Sequence, residues 1–418
     1  AHGATARAGA AGADQARGSP LRDRPTTLRS PSLRALVLLA GALVASACRH
    51  VAAPAVATSA PACRPDTLVV ARLQRLVDSL AAAHPDLPGL GVHVDAPARC
   101  VARTVVAGWA DAAARRPFTA GTPVRLASNT KTYVAAAVLR LVEEGRVALD
   151  DPIARHVAPA HVALLRGDGY DPEAIRVRHL LTHTSGLVDH TVNDYYMAAV
   201  QREPSHRWTR TEQLEVAMRH GAPLGPPGAQ FRYSDTGYIL LGELLERVTG
   251  RPLAAALRAQ LDFARLGLGA TWLESLEPAP ATLPARAHQW YGPLDTYAWD
   301  PSLDLYGGGG LAAPLADMAR FTRALLTGGV FRRPATLDTM RTNLVAARSG
   351  SGPRARDFGM GLYATTVDGA QGWGHSGFWG TVAFHVPSRD VTVAATVLQA
   401  RAGGVLSALV DGAVAAVR

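Results

Sequence analysis

Lysine is nearly missing from this sequence of 418 residues: of 43 basic side chains, 42 are arginine and one, Lys131, is lysine. Arginine therefore serves almost wherever a positive charge is wanted, and the exception needs a reason. A guanidinium stays protonated in a protein, whereas an ammonium on a flexible stem can give up its proton when buried. The exception points to proton transfer. Clustered positive charge is also missing. The net charge is +9, and the six arginines and two aspartates of residues 1–48 leave about +5 on the remainder, scattered along it. That excludes a nucleic-acid footprint. The glycine run Gly307 to Gly310 lacks a following Gly-Lys-Ser/Thr, so it is no phosphate-binding loop; close backbone approach near a cleft is the role it fits. No cofactor or metal is called for.

A membrane-length apolar run is missing as well. Ala35 to Ala47 gives thirteen residues behind Arg29 and Arg34, ending in small side chains. That is the core of a signal peptide and too short to span a bilayer. Val44-Ala45-Ser46-Ala47-Cys48 resembles a bacterial lipobox, so residues 1–48 are expected to be a leader and signal peptide, with Cys48 lipidated; plain secretion is the alternative. Residues 49–66 would be a tether and 67–418 the working domain. The expected location is the periplasm or the outer face of a membrane, held by lipid alone. In an exported chain the remaining pair, Cys63 and Cys100, invites a disulfide; two unpaired thiols are the alternative.

Ser128 stands three residues before Lys131, about one helical turn, so hydroxyl and amine share a face. This is the Ser-x-x-Lys spacing of an activated serine nucleophile. The following Thr132 to Val142 is apolar nearly all round, which marks a buried helix, and Gly145 supplies its end. A serine at the positive end of such a helix has its alkoxide favoured by the dipole.

In chain order, residues 67–83 have helical periodicity, and Gly89 to Val94 and Val101 to Trp109 read as a strand hairpin. From about 150 to 345 helices and long loops dominate, including Leu240 to Val248 and Ala316 to Leu326. Gly372 to Phe378, Gly380 to Val386 and Val391 to Leu398 read as antiparallel strands, followed by a terminal helix from Val405 to Val417. The expected fold is mixed α/β (α+β). An antiparallel sheet built from both chain ends is flanked by helices, a mainly helical insert faces it, and the site lies between them.

Three more sequences carry chemistry. Tyr233-Ser234-Asp235 precedes a helix and offers a phenol able to pass the serine proton to a leaving group. His375-Ser376-Gly377 opens a strand, where imidazole and hydroxyl would hold a substrate carboxylate and Gly377 would let a substrate backbone lie close. With HLLTHTSGL (residues 179–187), these motifs resemble the serine β-lactamase and D-alanyl-D-alanine carboxypeptidase superfamily, in its class C-like branch, over roughly residues 67–415. The resemblance implies that Ser128 is acylated, Lys131 is its base and Tyr233 the proton shuttle. It also implies an oxyanion hole of the Ser128 and Phe378 N–H groups.

Two departures matter. Asp235 replaces an amide, and a carboxylate beside the lysine favours its ammonium unless it points elsewhere. His375 replaces lysine, giving a weaker, pH-dependent cation. Arginine would have been the compositional default, so a D-amino-acid carboxypeptidase acting on a peptidoglycan-like peptide, or a small-ester esterase, ranks above a β-lactamase. A penicillin-binding envelope protein that has lost turnover is the non-enzymatic alternative.

Overall fold

The computed structural model describes residues 64–342, 345–347 and 356–418. Cys48 and Cys63 lie outside the described residues; Cys100 is disulfide-bonded.

Helix α1 (Thr67–Ala83) starts where the Asp66 carboxylate accepts from the Leu68 and Val69 N–H groups. Strands β1 (Gly89–Ala96) and β2 (Val101–Asp111) follow as an antiparallel hairpin. The other end of the chain supplies β3 (Tyr363–Val367), β4 (Ala370–Gly377), β5 (Thr381–Val386) and β6 (Val391–Val397). β1 pairs with β6, joining the two ends in one sheet. Among the described residues that sheet has nine strands, in the order Arg116–Pro117, β2, β1, β6, β5, β4, β3, Arg356–Phe358, Val345–Ala347, every neighbour antiparallel.

Period-two alternation makes the sheet two-sided. Val391, Val393, Ala395 and Val397 of β6 pack with Val69, Leu73 and Val77 of α1 and with Leu409, Val410 and Ala413 of the terminal helix, residues 403–416. Ala394, between them, faces the opposite core with Phe321 of the helix Leu315–Leu326. Helix α2 (Thr130–Glu143) lies in that second core, buried from Thr130 to Leu141, and Tyr133 stacks on Phe321 with ring centroids 3.5 Å apart. The segment from 150 to 342 is mainly helical, as its sequence indicates. Of the Tyr-Ser-Asp sequence, Tyr233 and Ser234 precede the helix as expected and Asp235 does not. Ser234 is the N-cap of helix α3 (Asp235–Thr249), accepting from the Gly237 N–H, and Asp235 is already the first helical residue.

Candidate active site

Ser128 sits in a single 3-10 turn, Ala127–Asn129, at the mouth of α2. Ala127 adopts φ 47°, a left-handed conformation that a β-carbon disfavours and that functional turns concentrate. Surrounding bonds hold this turn. Asn129 Nδ2 donates to the Leu126 carbonyl and to Thr381 Oγ1, both at 3.0 Å, and Thr381 Oγ1 donates to the same carbonyl at 2.9 Å. Gly377 explains its own identity here. A β-carbon on it would lie 2.2 Å from the Leu126 carbonyl oxygen, so the space expected for a substrate backbone is taken by the nucleophile's own turn. Phe378 follows, 41% exposed, its ring against Tyr291 and Trp379 at 5.7 and 4.8 Å.

Lys131 is fully buried, and three oxygens surround its Nζ: Ser128 Oγ at 2.9 Å, the Gly308 carbonyl at 2.6 Å, and Asp235 Oδ1. Asp235 does not point elsewhere; it is the lysine's ion-pair partner. The glycine run thus provides the backbone approach expected of it. Gly308 brings its carbonyl onto the amine, and a β-carbon on Gly309 would meet Asp304 Oδ1 at 2.0 Å.

The Tyr233 ring centre is 5.1 Å from Lys131 Nζ, and Ser128 is near enough to bias its phenol. Burial, and then the Asp235 charge, push its phenol well above the usual tyrosine range. It therefore stays protonated, which suits a donor and not a base.

The anion clamp expected of His375 is not what the geometry gives. The imidazole is 2% exposed, lies among Tyr363, Phe358 and Tyr233, and donates from Nδ1 to the Ser376 carbonyl at 2.7 Å. The Ser376 hydroxyl is 2.6 Å from that of Tyr363, which also accepts from the Ser376 N–H at 2.9 Å. The His375 Nδ1 and the Ser376 hydroxyl are thus engaged within the sheet, one by the Ser376 carbonyl of the same strand and the other by Tyr363 of β3.

Motif reading missed two carboxylates. Asp189 is buried and accepts from the Thr191 N–H and Oγ1, both at 2.9 Å, while Thr191 Oγ1 also lies 3.4 Å from Asp235 Oδ2. Burial, and then the Asp235 charge, raise Asp189 to about 7 and Asp304 to about 6. Lys131 thus faces three acidic side chains, of which Asp189 and Asp304 keep their protons until near-neutral pH. His183 was also missed as an individual residue, although it lies inside the HLLTHTSGL motif. Burial first, then Lys131 and His375, hold it well below the usual histidine range. Among the described residues, no three His, Cys, Asp or Glu side chains stand where they would share a metal ion.

A serine on a held turn, a buried amine on its oxygen and a protonated phenol beside both define a serine hydrolase. A family model described as Beta-lactamase matches residues 74–409, and the chain belongs to that family. It is 31% identical over 313 residues to esterase EstB of Burkholderia gladioli, covering 66% of this chain and 76% of that protein. It is 26% identical over 221 residues to the D-alanyl-D-alanine-carboxypeptidase/endopeptidase AmpH of Escherichia coli (strain K12), covering 52% of this chain and about half (53%) of that one. Among solved structures, a D-stereospecific amidohydrolase from Streptomyces sp. superposes with TM-score 0.68 at 27% identity, over 80% of this chain and 95% of that one. The D-amino acid amidase from Ochrobactrum anthropi SV3 shares the fold, with TM-score 0.70 at 24% identity over 83% and 98%. No described helix is long and apolar enough to cross a membrane.

Proposed function

We propose that this enzyme hydrolyses small neutral esters through an acyl-enzyme on Ser128. The observation that carries the reading is the surroundings of Lys131 Nζ. The Gly308 carbonyl can only accept a hydrogen bond, and so can an ionised Asp235. A neutral amine has two N–H donors and one lone pair. The ion pair with Asp235 favours the ammonium at rest, so the base form is the minor one; in it both donors go to those acceptors and the lone pair is left for the third neighbour, the Ser128 hydroxyl at 2.9 Å. The ammonium formed next has three donors for the same three oxygens.

The steps follow from that alternation. Lys131 takes the Ser128 proton as Oγ attacks the ester carbonyl carbon. The oxyanion is received by the N–H groups of Ser128 and Phe378. As the tetrahedral intermediate collapses, Tyr233 gives its proton to the departing alkoxide and the Lys131 ammonium re-protonates Tyr233. The alcohol leaves, and water attacks the acyl-enzyme by the reverse transfers. Asp235 holds the ammonium between the two proton transfers.

Substrate charge follows from these acidic neighbours. At and above neutral pH, where Asp189 and Asp304 ionise, they join Asp235 in opposing a carboxylate near Ser128, and His375 turns its Nδ1 to the Ser376 carbonyl. A neutral acyl donor avoids that repulsion, and the esterase relative supports it. The second reading, favoured by the names of the amidohydrolase and carboxypeptidase relatives, is cleavage of a D-amino-acid amide or peptide. Export is part of the proposal, with Cys48 as the lipid anchor.

The test compares kcat/KM for p-nitrophenyl butyrate, a D-alanyl-D-alanine peptide and a chromogenic cephalosporin. The proposal expects the neutral ester to lead by at least tenfold. Faster turnover of the carboxylated peptide or the lactam would overturn the ester assignment.

A further inference from the structure

His183 is a buried histidine with no place in the steps above, yet it touches the shuttle tyrosine from three sides. Its backbone carbonyl accepts from the Arg232 N–H at 2.8 Å, and its Nδ1 accepts from the Ser234 N–H at 3.1 Å. Residues 232 and 234 flank Tyr233 in sequence, so a single residue pins the backbone on both sides of it. The imidazole also stacks on the Tyr233 ring, centroids 4.2 Å apart and 26° between planes.

The ring is boxed in as well. Phe358 meets it edge-on at 4.7 Å, Tyr238 lies tilted at 4.9 Å, and Phe231 closes the cage at 5.9 Å. Two features run against local preference. His183 adopts φ 54°, where a β-carbon is disfavoured, and its Nε2 is buried with no hydrogen-bond partner among the described residues. A residue that served packing alone would need neither. Nδ1 accepts from a backbone N–H, so the ring is neutral with its proton on Nε2; burial with Lys131 and His375 nearby favours the same form. A neutral ring can lie beneath the phenol without adding charge beside the lysine.

We infer that His183 is a positioning residue for Tyr233, fixing the phenol where it delivers a proton to the leaving group. This rests on the proton-donor role proposed for Tyr233. It makes HLLTHTSGL part of the catalytic apparatus through the backbone of the neighbouring motif.

Leaving-group dependence tests it, because a merely structural loss would slow all esters alike. A p-nitrophenolate departs without protonation, whereas an ethoxide needs it. His183→Ala removes ring and acceptor and is expected to lower kcat for an ethyl ester at least tenfold more than for the p-nitrophenyl ester, with KM little changed. His183→Asn tolerates the left-handed backbone and keeps an acceptor near the Nδ1 position, so it should recover most of that difference. Tyr233→Phe is the reference and should show the same selectivity, and adding His183→Ala to it should widen the ester ratio no further. If the His183 variants do not fold, Phe358→Leu loosens the same imidazole and should give a smaller shift in the same direction. Equal loss on both esters, or His183→Asn no better than His183→Ala, would overturn the positioning role while Tyr233→Phe still shows selectivity. An unchanged ester ratio in Tyr233→Phe would instead overturn the proton-donor reading itself, and the inference with it.

Discussion

Replacing Asp189 by asparagine should stabilise the fold, and by more in alkali than in acid. Asp189 is buried, and burial together with the Asp235 charge raises its carboxyl from 3.8 to about 7. Below the ordinary carboxyl range, both folded and unfolded chains hold the proton and nothing is lost. Between about pH 4 and pH 7 the unfolded chain ionises while the folded one does not, so stability falls as pH rises, and it stays low above pH 7. Each pKa unit is worth about 1.36 kcal/mol, so a rise of about three units sets an upper limit of roughly 4 kcal/mol at pH 8.5. Asparagine keeps the oxygen that accepts from the Thr191 N–H and Oγ1 and removes the titration. The assay is urea unfolding of wild type and Asp189→Asn at pH 4, 6 and 8.5. The difference between them should be near zero at the lowest pH and grow to a few kcal/mol at the highest. A difference that does not change with pH, or an asparagine variant that is weaker at pH 8.5, would refute the reasoning.

Other outcomes follow from the same geometry. Lys131→Arg should lose about 10²–10⁴ in kcat, as much as Lys131→Ala, because a guanidinium cannot accept the serine proton; near-normal turnover in the arginine variant would reduce Lys131 to a charge. Gly377→Ala places a methyl group on the Leu126 carbonyl and should displace the Ser128 turn, costing about 10² in kcat and, through overpacking of about 1–3 kcal/mol, lowering the melting temperature by a few degrees. Peptide mapping under non-reducing conditions should find Cys100 joined to Cys63; a different partner would remove that pairing.

Much of this architecture was legible because periodicity is local. Residues 67–83 form α1 as their pattern indicates, and the hairpin of β1 and β2 and the closing strands β4 to β6 fall within a few residues of their expected bounds. Ser128 and Lys131 were legible for a different reason: one turn of helix links them, so spacing alone brings them together. What was not legible depends on chain segments far apart in sequence. Nothing local says that the Gly308 carbonyl, 177 residues on, meets the lysine, or that Asp189 and Asp304 face it. His375 was expected to face the cleft, but its orientation is set by the pairing of β4 with β3 and by Tyr363 across that pair. Gly377 was read as room for substrate, when the tight approach is that of Leu126, about 250 residues earlier. His183 was in plain view inside a motif, but its effect on Tyr233 arises only when two loops meet.

The central claim, an acyl-enzyme on Ser128, is tested most directly by intact-mass spectrometry after brief exposure to a fluorophosphonate, with peptide mapping of the adduct. The account predicts one added phosphonyl group on Ser128 in the wild type. Ser128→Ala should take up none, at an unchanged melting temperature. Labelling that persists in the alanine variant, or an adduct that maps to any other residue, would contradict the account.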